Sequence, residues 1–404
     1  MKNYIFSLPA ILILTCVQGQ TEYFGTLDPC NFNYIIIDSV PTVKYIEVPS
    51  STFDNLNQHY IFSGSPDGLI WKLYTINVNN GNVISNPLFP VLSDPNDNII
   101  NWQYSNSQNK LLAMHWDNSQ NTEYFVSINT NTGAFTIIDS LPSIKYIQGF
   151  ATIDNINNRY IVRASPNTNT WYLYSINTSD GSIISNPPYP NPNGNLIEYQ
   201  YSNSLNKLIA LHWDNLSNTE YLAEVNPGNG TFTDINSIPG VAWIQGGYTT
   251  FDDYNKRYLF RGGDNSGNWY LYSIDAVNGN VSCNPVFPTS TTNDNIEMPQ
   301  MDSLTGIMYA LHWESVTNGI KEKGGHISNF FPNPLIEDAK LTLDKTYNDI
   351  ILFIYNASGQ VVCKQTAANT SEIYISRGNL SEGQYFISVI CDHIYLGTVN
   401  TSIR

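Results

Sequence analysis

Three tripeptides stand out by type and spacing: His115-Trp116-Asp117, His212-Trp213-Asp214 and His312-Trp313-Glu314. A histidine beside a carboxylate can ligate a metal or relay a proton. Arg163 and Arg261, with Ser63 at the matching place, offer forked donors that suit a carboxylate or sulfate, or a neighbouring acidic side chain. Gln148 and Gln245, with Glu47 near the start of the chain, recur in one kind of unit, and Gln103, Gln200 and Gln300 in the other. Trp102, Tyr146, Tyr199 and Trp243 lie beside them. Amides next to aromatic faces suit sugar hydroxyls and C–H surfaces, or else form a satisfied polar layer. Glu198 and Glu297 are isolated acids, and Asp94-Pro95-Asn96-Asp97 and Asn293-Asp294-Asn295 are oxygen-rich enough for calcium, although connecting loops are commonly so. No G-x-S-x-G, H-E-x-x-H or phosphate loop occurs, so no catalytic residue is assigned.

The background to these residues is unusual. The 404 residues carry 18 Lys+Arg against 34 Asp+Glu, so 18 − 34 = −16. Charged residues are only 13% of the chain, which leaves Asn, Ser, Thr and Tyr to make the polar surface. This acidity excludes a nucleic-acid partner, which requires a basic face. The length allows two or three domains.

The start reads as an export signal. Met1-Lys2-Asn3 is positive, Tyr4 to Val17 is largely apolar, and Val17-Gln18-Gly19 presents a peptidase site. The spacing predicts a signal peptide over 1–19, with a lipid-anchored Cys16 as the rival. No later run is apolar enough to span a membrane. Four cysteines then remain in the mature chain, Cys30, Cys283, Cys363 and Cys391, which is compatible with two disulfides. Their spacing does not suit a structural zinc site.

The elements that must position the candidate groups come from repetition. One unit reads FDNLNQHYIF from Phe53, IDNINNRYIV from Ile153 and FDDYNKRYLF from Phe251. A second alternates with it: YSNSQNKLLAMHWD from Tyr104, YSNSLNKLIALHWD from Tyr201 and MDSLTGIMYALHWE from Met301. The matching turn residues Asp54, Ser105, Asp154, Ser202, Asp252 and Asp302 are spaced by 51, 49, 48, 50 and 50. Each unit reads as four short strands. In the third, Lys145 to Ile153, Arg159 to Arg163, Trp171 to Ile176 and Ser182 to Ser185 are β-branched or aromatic, with Asn, Asp, Gly and Pro between them. A lone meander cannot bury both faces, but six around an axis can, which makes a β-propeller. An open solenoid is the alternative.

The termini decide between them. TEYFGTLDPCNFNYIIIDSVPTV, Thr21 to Val43, matches TEYFVSINTNTGAFTIIDSLPSI from Thr122 and TEYLAEVNPGNGTFTDINSIPGV from Thr219. The sixth unit lacks this piece after His312-Trp313-Glu314. The N-terminal segment therefore supplies the two outer strands of the sixth blade, a two-plus-two closure that removes exposed edges. The expected fold class is all-β: a six-bladed β-propeller over 20–318, then a small C-terminal β-sandwich. Cys30 falls in the blade-six outer turn and Cys283 in the outermost strand of blade five. A bond between them would tie the closure, provided their Cα atoms come within about 7 Å.

The ring restricts the chemistry. A second strand lies about 4.8 Å outside the innermost one. Histidines spread over three blades at that radius stand more than about 10 Å apart, whereas zinc needs each nitrogen at about 2.1 Å. No shared metal and no cofactor are expected, and the repeated His-Trp-Asp reads as inter-blade packing. The Ser-x-Asp-x-Gly-x-Thr-Trp box of sialidases is absent.

After Asn318 the repeat stops, and 319–328 reads as a polar linker. Alternating strands follow, with Gly turns at Gly359 and Gly383. The blocks Phe331-Pro332-Asn333-Pro334, Ile354 to Val362 with Gly359, and Leu380-Ser381-Glu382-Gly383-Gln384-Tyr385-Phe386 occur in that order. This segment, 329–404, resembles the type A C-terminal sorting domain of the type IX (Por) secretion system. The resemblance implies a Bacteroidota-type cell, passage through the type IX secretion machinery, removal of the domain, and release or attachment at the cell surface. Cys363 and Cys391 are not part of that pattern; pairing across the sandwich is marginally favoured over buried thiols. The reading is a secreted or surface propeller that recognises a glycan or protein without catalysis, with Trp102, Gln103, Tyr146, Gln148, Tyr199, Gln200, Trp243, Gln245, Arg163 and Arg261 as candidate contacts. The alternative is a hydrolase or lyase with its site at the channel mouth.

Overall fold

The computed structural model describes residues 21–314 and 327–403, apart from 91, 93, 95, 168–169, 191–193, 288–294, 336, 357–360, 379 and 392–393. The expected leader, most of the expected linker, Gly359 and part of Asn293-Asp294-Asn295 lie outside these residues. No helix occurs among them. The chain divides into two units, Met1–Val316 and Thr317–Arg404.

The first unit is the expected six-bladed propeller. β1 (Thr21–Leu27) and β2 (Tyr34–Val40) open the chain. Blade one is β3 (Tyr45–Asp54), β4 (His59–Ser65), β5 (Lys72–Asn77) and β6 (Val83–Ser85). Blade two is β7 (Asn98–Ser105), β8 (Lys110–Asp117), β9 (Thr122–Ile128) and β10 (Phe135–Leu141). In blade three the innermost strand is broken into β11 (Tyr146–Ile147) and β12 (Thr152–Asp154), both paired with β13 (Arg159–Ser165). The break, which the sequence reading did not contain, falls at Gly149, whose φ of 76° only glycine adopts readily. β14 (Tyr172–Asn177) and β15 (Ile183–Ser185) complete that blade. Blade four is β16 (Gly194–Ser202), β17 (Lys207–Asp214), β18 (Thr219–Val225) and β19 (Phe232–Ile238). Blade five is β20 (Trp243–Asp252), β21 (Arg257–Gly263), β22 (Trp269–Asp275) and β23 (Val281–Cys283).

β24 (Asn295–Met301) and β25 (Met308–Glu314) form the inner half of blade six, and β1 and β2 its outer half, in the order β2-β1-β25-β24. Tyr23 pairs with His312 and Phe24 with Leu311. Residues from both ends of the repeat region thus share one sheet. Cys30 and Cys283 are joined as a disulfide, with Cα atoms 5.4 Å apart.

Packing explains why six sheets stand together. A hydrophobic cluster fills each interface. Phe24, Val40, Phe53, Tyr60 and Leu311 lie between blades six and one, for example, and Ile209, Leu222, Phe251 and Tyr258 between four and five. A polar ring accompanies this core on the face of the first turns. The Asn55 N–H donates to Asn106 Oδ1 (2.9 Å), Ser107 N–H to Asn155 Oδ1 (3.1 Å) and Asn155 N–H to Asn203 Oδ1 (2.8 Å). Ser204 N–H donates to Asp253 Oδ1 (3.0 Å) and Ser303 N–H to Asn55 Oδ1 (2.8 Å). The buried turn aspartates cap their own backbone, as Asp154 Oδ1 does for Ile156 and Asn157.

The second unit has two sheets. One orders β26 (Ile327–Phe331), β27 (Asp338–Tyr347) and β30 (Thr370–Ser376). The other orders β29 (Val361–Ala367), β28 (Ile350–Asn356), β31 (Gly383–Cys391) and β32 (Ile394–Ile403). They share one core, which includes Leu341, Ile350, Leu352, Ile373 and Val389. The two cysteines do not pair with each other, contrary to the marginal expectation. Cys363 on β29 faces Ile354 and Cys391 on β31 faces Ile350, so they flank β28 on opposite sides and four residues apart along it. Two strand spacings, about 9.6 Å, already exceed the reach of a disulfide.

Candidate functional site

Antiparallel order puts the start of each inner strand, the loops from second to third strand and the blade connections on one face. On that face Tyr45, Tyr146 and Trp243 occupy matching positions at the tops of β3, β11 and β20. Tyr146 is 47% exposed and Trp243 44%. Glu47, Gln148 and Gln245 stand two residues further on, the spacing that returns a strand side chain to the same side. Gln148 and Gln245 are half-buried, and no side-chain hydrogen bond engages either amide among the described residues. An exposed aromatic ring and an amide without a side-chain hydrogen bond among the described residues thus stand two residues apart along the chain twice at the channel mouth.

The even blades differ. Trp102 and Tyr199 are each 4% exposed, too buried to meet a ligand. The Tyr199 hydroxyl accepts from the Arg163 N–H at 2.7 Å, and Trp102 packs on Phe89. Gln200 donates to the Thr249 carbonyl (3.2 Å) and Gln300 to Ser51 Oγ (3.1 Å), both across a blade interface. Gln103 is half-buried in the matching place. The cause lies in the backbone. Blades one and five slip between Ile46 and Ser51 and between Gln245 and Thr250, whereas the even blades slip just before the glutamine, between Ile100 and Gln103, Ile197 and Gln200, and Glu297 and Gln300. At each of these three even-blade slips one residue takes positive φ: Asn101, Glu198 or Met298. Such a bulge re-aims the side chains that follow it.

Tyrosines that the sequence reading did not single out hold these bulges. Tyr60 donates to the Met298 carbonyl (2.6 Å), Tyr160 to that of Asn101 and Tyr258 to that of Glu198. Their signal was the tyrosine repeated in HYIF, RYIV and RYLF.

Arg163 and Arg261 lie in aromatic surroundings rather than on carboxylates. The Arg163 guanidinium is 4.1 Å from the Tyr189 ring centre and 5.1 Å from that of Trp171. Arg261 stands 3.9 Å from Phe287, 5.0 Å from Tyr248 and 5.2 Å from Trp269. Burial holds Arg261 below its ordinary pKa. Blade one has Ser63 here, and Trp102 packs on Phe89, the counterpart of Tyr189 and Phe287.

The two isolated acids reach blade five from either side. Thr249 Oγ1 donates to Glu198 Oε2 (2.6 Å) from one flank, and the Tyr248 hydroxyl donates to Glu297 from the other. Burial pushes Glu198 up to about 7, against the opposing bonds from Thr249 and the Gly247 N–H. Glu22, Glu123 and Glu220 lie buried at matching places in the third strands. Burial raises Glu123 to about 8, with Lys145 opposing, and raises Glu22 and Glu220 well above the ordinary carboxylate value.

The three histidines pack on rings of their own blades, which differs from the expected inter-blade packing. His115 lies 4.6 Å from Phe135, His212 4.8 Å from Phe232 and His312 5.1 Å from Tyr34, ring centre to ring centre. His212 also bonds Asp234 at 2.7 Å. Asp94 accepts from the Asn96 N–H (2.8 Å). Among the described residues, no cluster of three or more His, Cys, Asp or Glu side chains is placed to hold a metal.

In the second unit the motif residues act as structure. Asn333 Nδ2 donates to the Asn400 carbonyl (3.0 Å) and its Oδ1 accepts from Thr401 (2.9 Å), which pins Asn333-Pro334 to the last strand. Pro332 is half-buried beside it. Leu380 packs on the core, and the Tyr385 hydroxyl reaches back over Gly383 to the Ser381 carbonyl (2.9 Å).

Two classes of protein meet in this chain, a β-propeller and an export tail. Residues 329–394 match the family described as secretion system C-terminal sorting domain, the type IX tail that the sequence motifs resemble. Such a tail implies engagement with the type IX secretion machinery and export to the cell surface or beyond. No curated protein matches the sequence. Among solved structures, TolB from Acinetobacter baumannii is 12% identical, with 70% of this chain and 66% of that one covered at a TM-score of 0.46. An oligogalacturonate lyase from Vibrio parahaemolyticus is 9% identical, with 75% and 100% covered at 0.47. A putative TolB from Agrobacterium tumefaciens is 8% identical, with 74% and 99% covered at 0.49.

Proposed function

We propose that this is an exported, noncatalytic recognition module whose propeller binds a glycan at the channel mouth. The supporting observation is the pairing of exposed Tyr146 and Trp243 with the partnerless amides of Gln148 and Gln245. Rings stack on the C–H face of a sugar while amides bond its hydroxyls. Arg163 and Arg261 hold their neighbours in place rather than meeting the ligand. The test is an array of glycans and host proteins against the chain without 329–404, followed by Trp243→Ala and Tyr146→Ala. A glycan signal that both variants abolish supports the reading. A protein signal alone, or a glycan signal that both variants leave intact, overturns it.

One observation favours a second reading, a polysaccharide hydrolase or lyase. A half-buried carboxyl raised to about 7, as Glu198 is, suits a general acid. Release of new reducing ends that Glu198→Gln abolishes would establish that reading and remove the noncatalytic one.

A further inference from the structure

The pseudo-threefold repeat provides three equivalent slots on the face opposite the mouth, each between an odd blade and the even blade that follows. Two are closed. Between blades three and four, Arg159 reaches Asp154 (2.6 Å) and stacks on Tyr201, while Lys207 pairs with Glu224 (2.6 Å). Between blades five and six, Arg257 reaches Asp252 (2.7 Å), and the Cys30–Cys283 disulfide lies alongside. The slot between blades one and two has neither closure. His59 stands where the arginines stand and only approaches Asp54, at 3.8 Å. Ser127 stands where Glu224 stands, so Lys110 has no carboxylate partner among the described residues. A cavity of about 510 Å³ results, within the range of small-ligand sites.

Its lining defines the ligand chemistry. Asp54 is occupied by the N–H groups of Leu56 and Asn57 and by the Asn57 amide. Burial lowers the pKa of His59, against the opposing charge of Asp54. Lys110 is therefore the exposed charge of the slot. Around it stand the Asn131 amide and the Nδ2 groups of Asn109 and Asn129, whose side-chain carbonyls accept from Tyr104 and from the Asn131 and Thr132 N–H groups, and Ile84 offers an exposed apolar surface. We infer that the slot between blades one and two binds an acidic sugar, with its carboxylate on Lys110, its hydroxyls on the asparagine amides and its C–H face on Ile84.

Calorimetry of the full chain with a glucuronic acid trimer and the neutral glucose trimer tests this. The acidic trimer is expected to bind at least about tenfold more tightly, a margin that a charge-assisted hydrogen bond supplies. Lys110→Met, on the surface, should remove that margin. His59→Arg with Ser127→Glu copies the closed slot and should abolish binding with the melting temperature kept; should that pair fail to fold, Lys110→Met alone decides. Trp243→Ala, at the mouth, should leave this binding unchanged, which separates it from the proposed function. Equal affinity for both trimers, no binding of the acidic trimer, or undiminished binding in the folded double variant would overturn the inference.

Discussion

At the scale of single residues, the inter-blade tyrosines and the buried glutamates carry the sharpest consequences. Tyr160→Phe leaves the buried Asn101 carbonyl without its donor, so the propeller should lose about 1–3 kcal/mol in a denaturant titration. Glu22, Glu123, Glu198 and Glu220 all have raised pKa values when folded. Between the unfolded value near 4.5 and the folded ones the native chain holds more protons than the unfolded chain. Stability is thus greatest below about pH 4.5 on this account and falls as pH rises through 7 and 8. Glu220→Gln should flatten that slope, measured as melting temperature against pH; an unchanged slope would rule out a deprotonation penalty at Glu220. Side-chain types were readable from the sequence, but accessibility was not. Trp102 and Tyr199 look like Tyr146 and Trp243 in sequence. The bulges at Asn101 and Glu198 separate them, and three unlike residues at the bulge left no compositional trace.

At the scale of elements, the turns were the most legible part. Asp54, Asp154 and Asp252 cap turns because a carboxylate satisfies local N–H groups wherever it occurs, so repetition in sequence became repetition in structure. The break in the third inner strand was less visible, since one glycine in an apolar run is a weak signal. Where blades one and three fasten their outer strands by Ser85 to the Thr130 carbonyl (2.9 Å) and Ser185 to that of Pro227 (3.0 Å), blade five has Cys283. The disulfide thus replaces a serine bond at the one interface whose even blade is assembled from two chain segments. Cys30→Ser with Cys283→Ser should lower stability by about 2–5 kcal/mol, seen as a drop in melting temperature that a reducing agent reproduces in the parent. Gly181→Ala should also destabilise, because a Cβ there would lie 2.4 Å from that of Asp139 at a φ of 77°.

At the scale of the whole molecule, closure governs behaviour. Deleting residues 21–43 strips β25 of its outer partner, β1, and leaves the outer edge of an inner half-blade open. Size-exclusion chromatography should find that variant in oligomers, and a monodisperse, cooperatively melting monomer would contradict the shared sheet. The ring was legible because its ends are complementary in sequence. The slot between blades one and two was not, since its character comes from His59 and Ser127 replacing larger groups across two blades.

The shared sheet also imposes an order in time. The first strands of the propeller must wait, unpaired on one side, until Met308–Glu314 has been made and delivered. A chain halted anywhere before that point is an unfinished circle, and its bare flank is the surface on which a chaperone or a protease in the receiving compartment can recognise it.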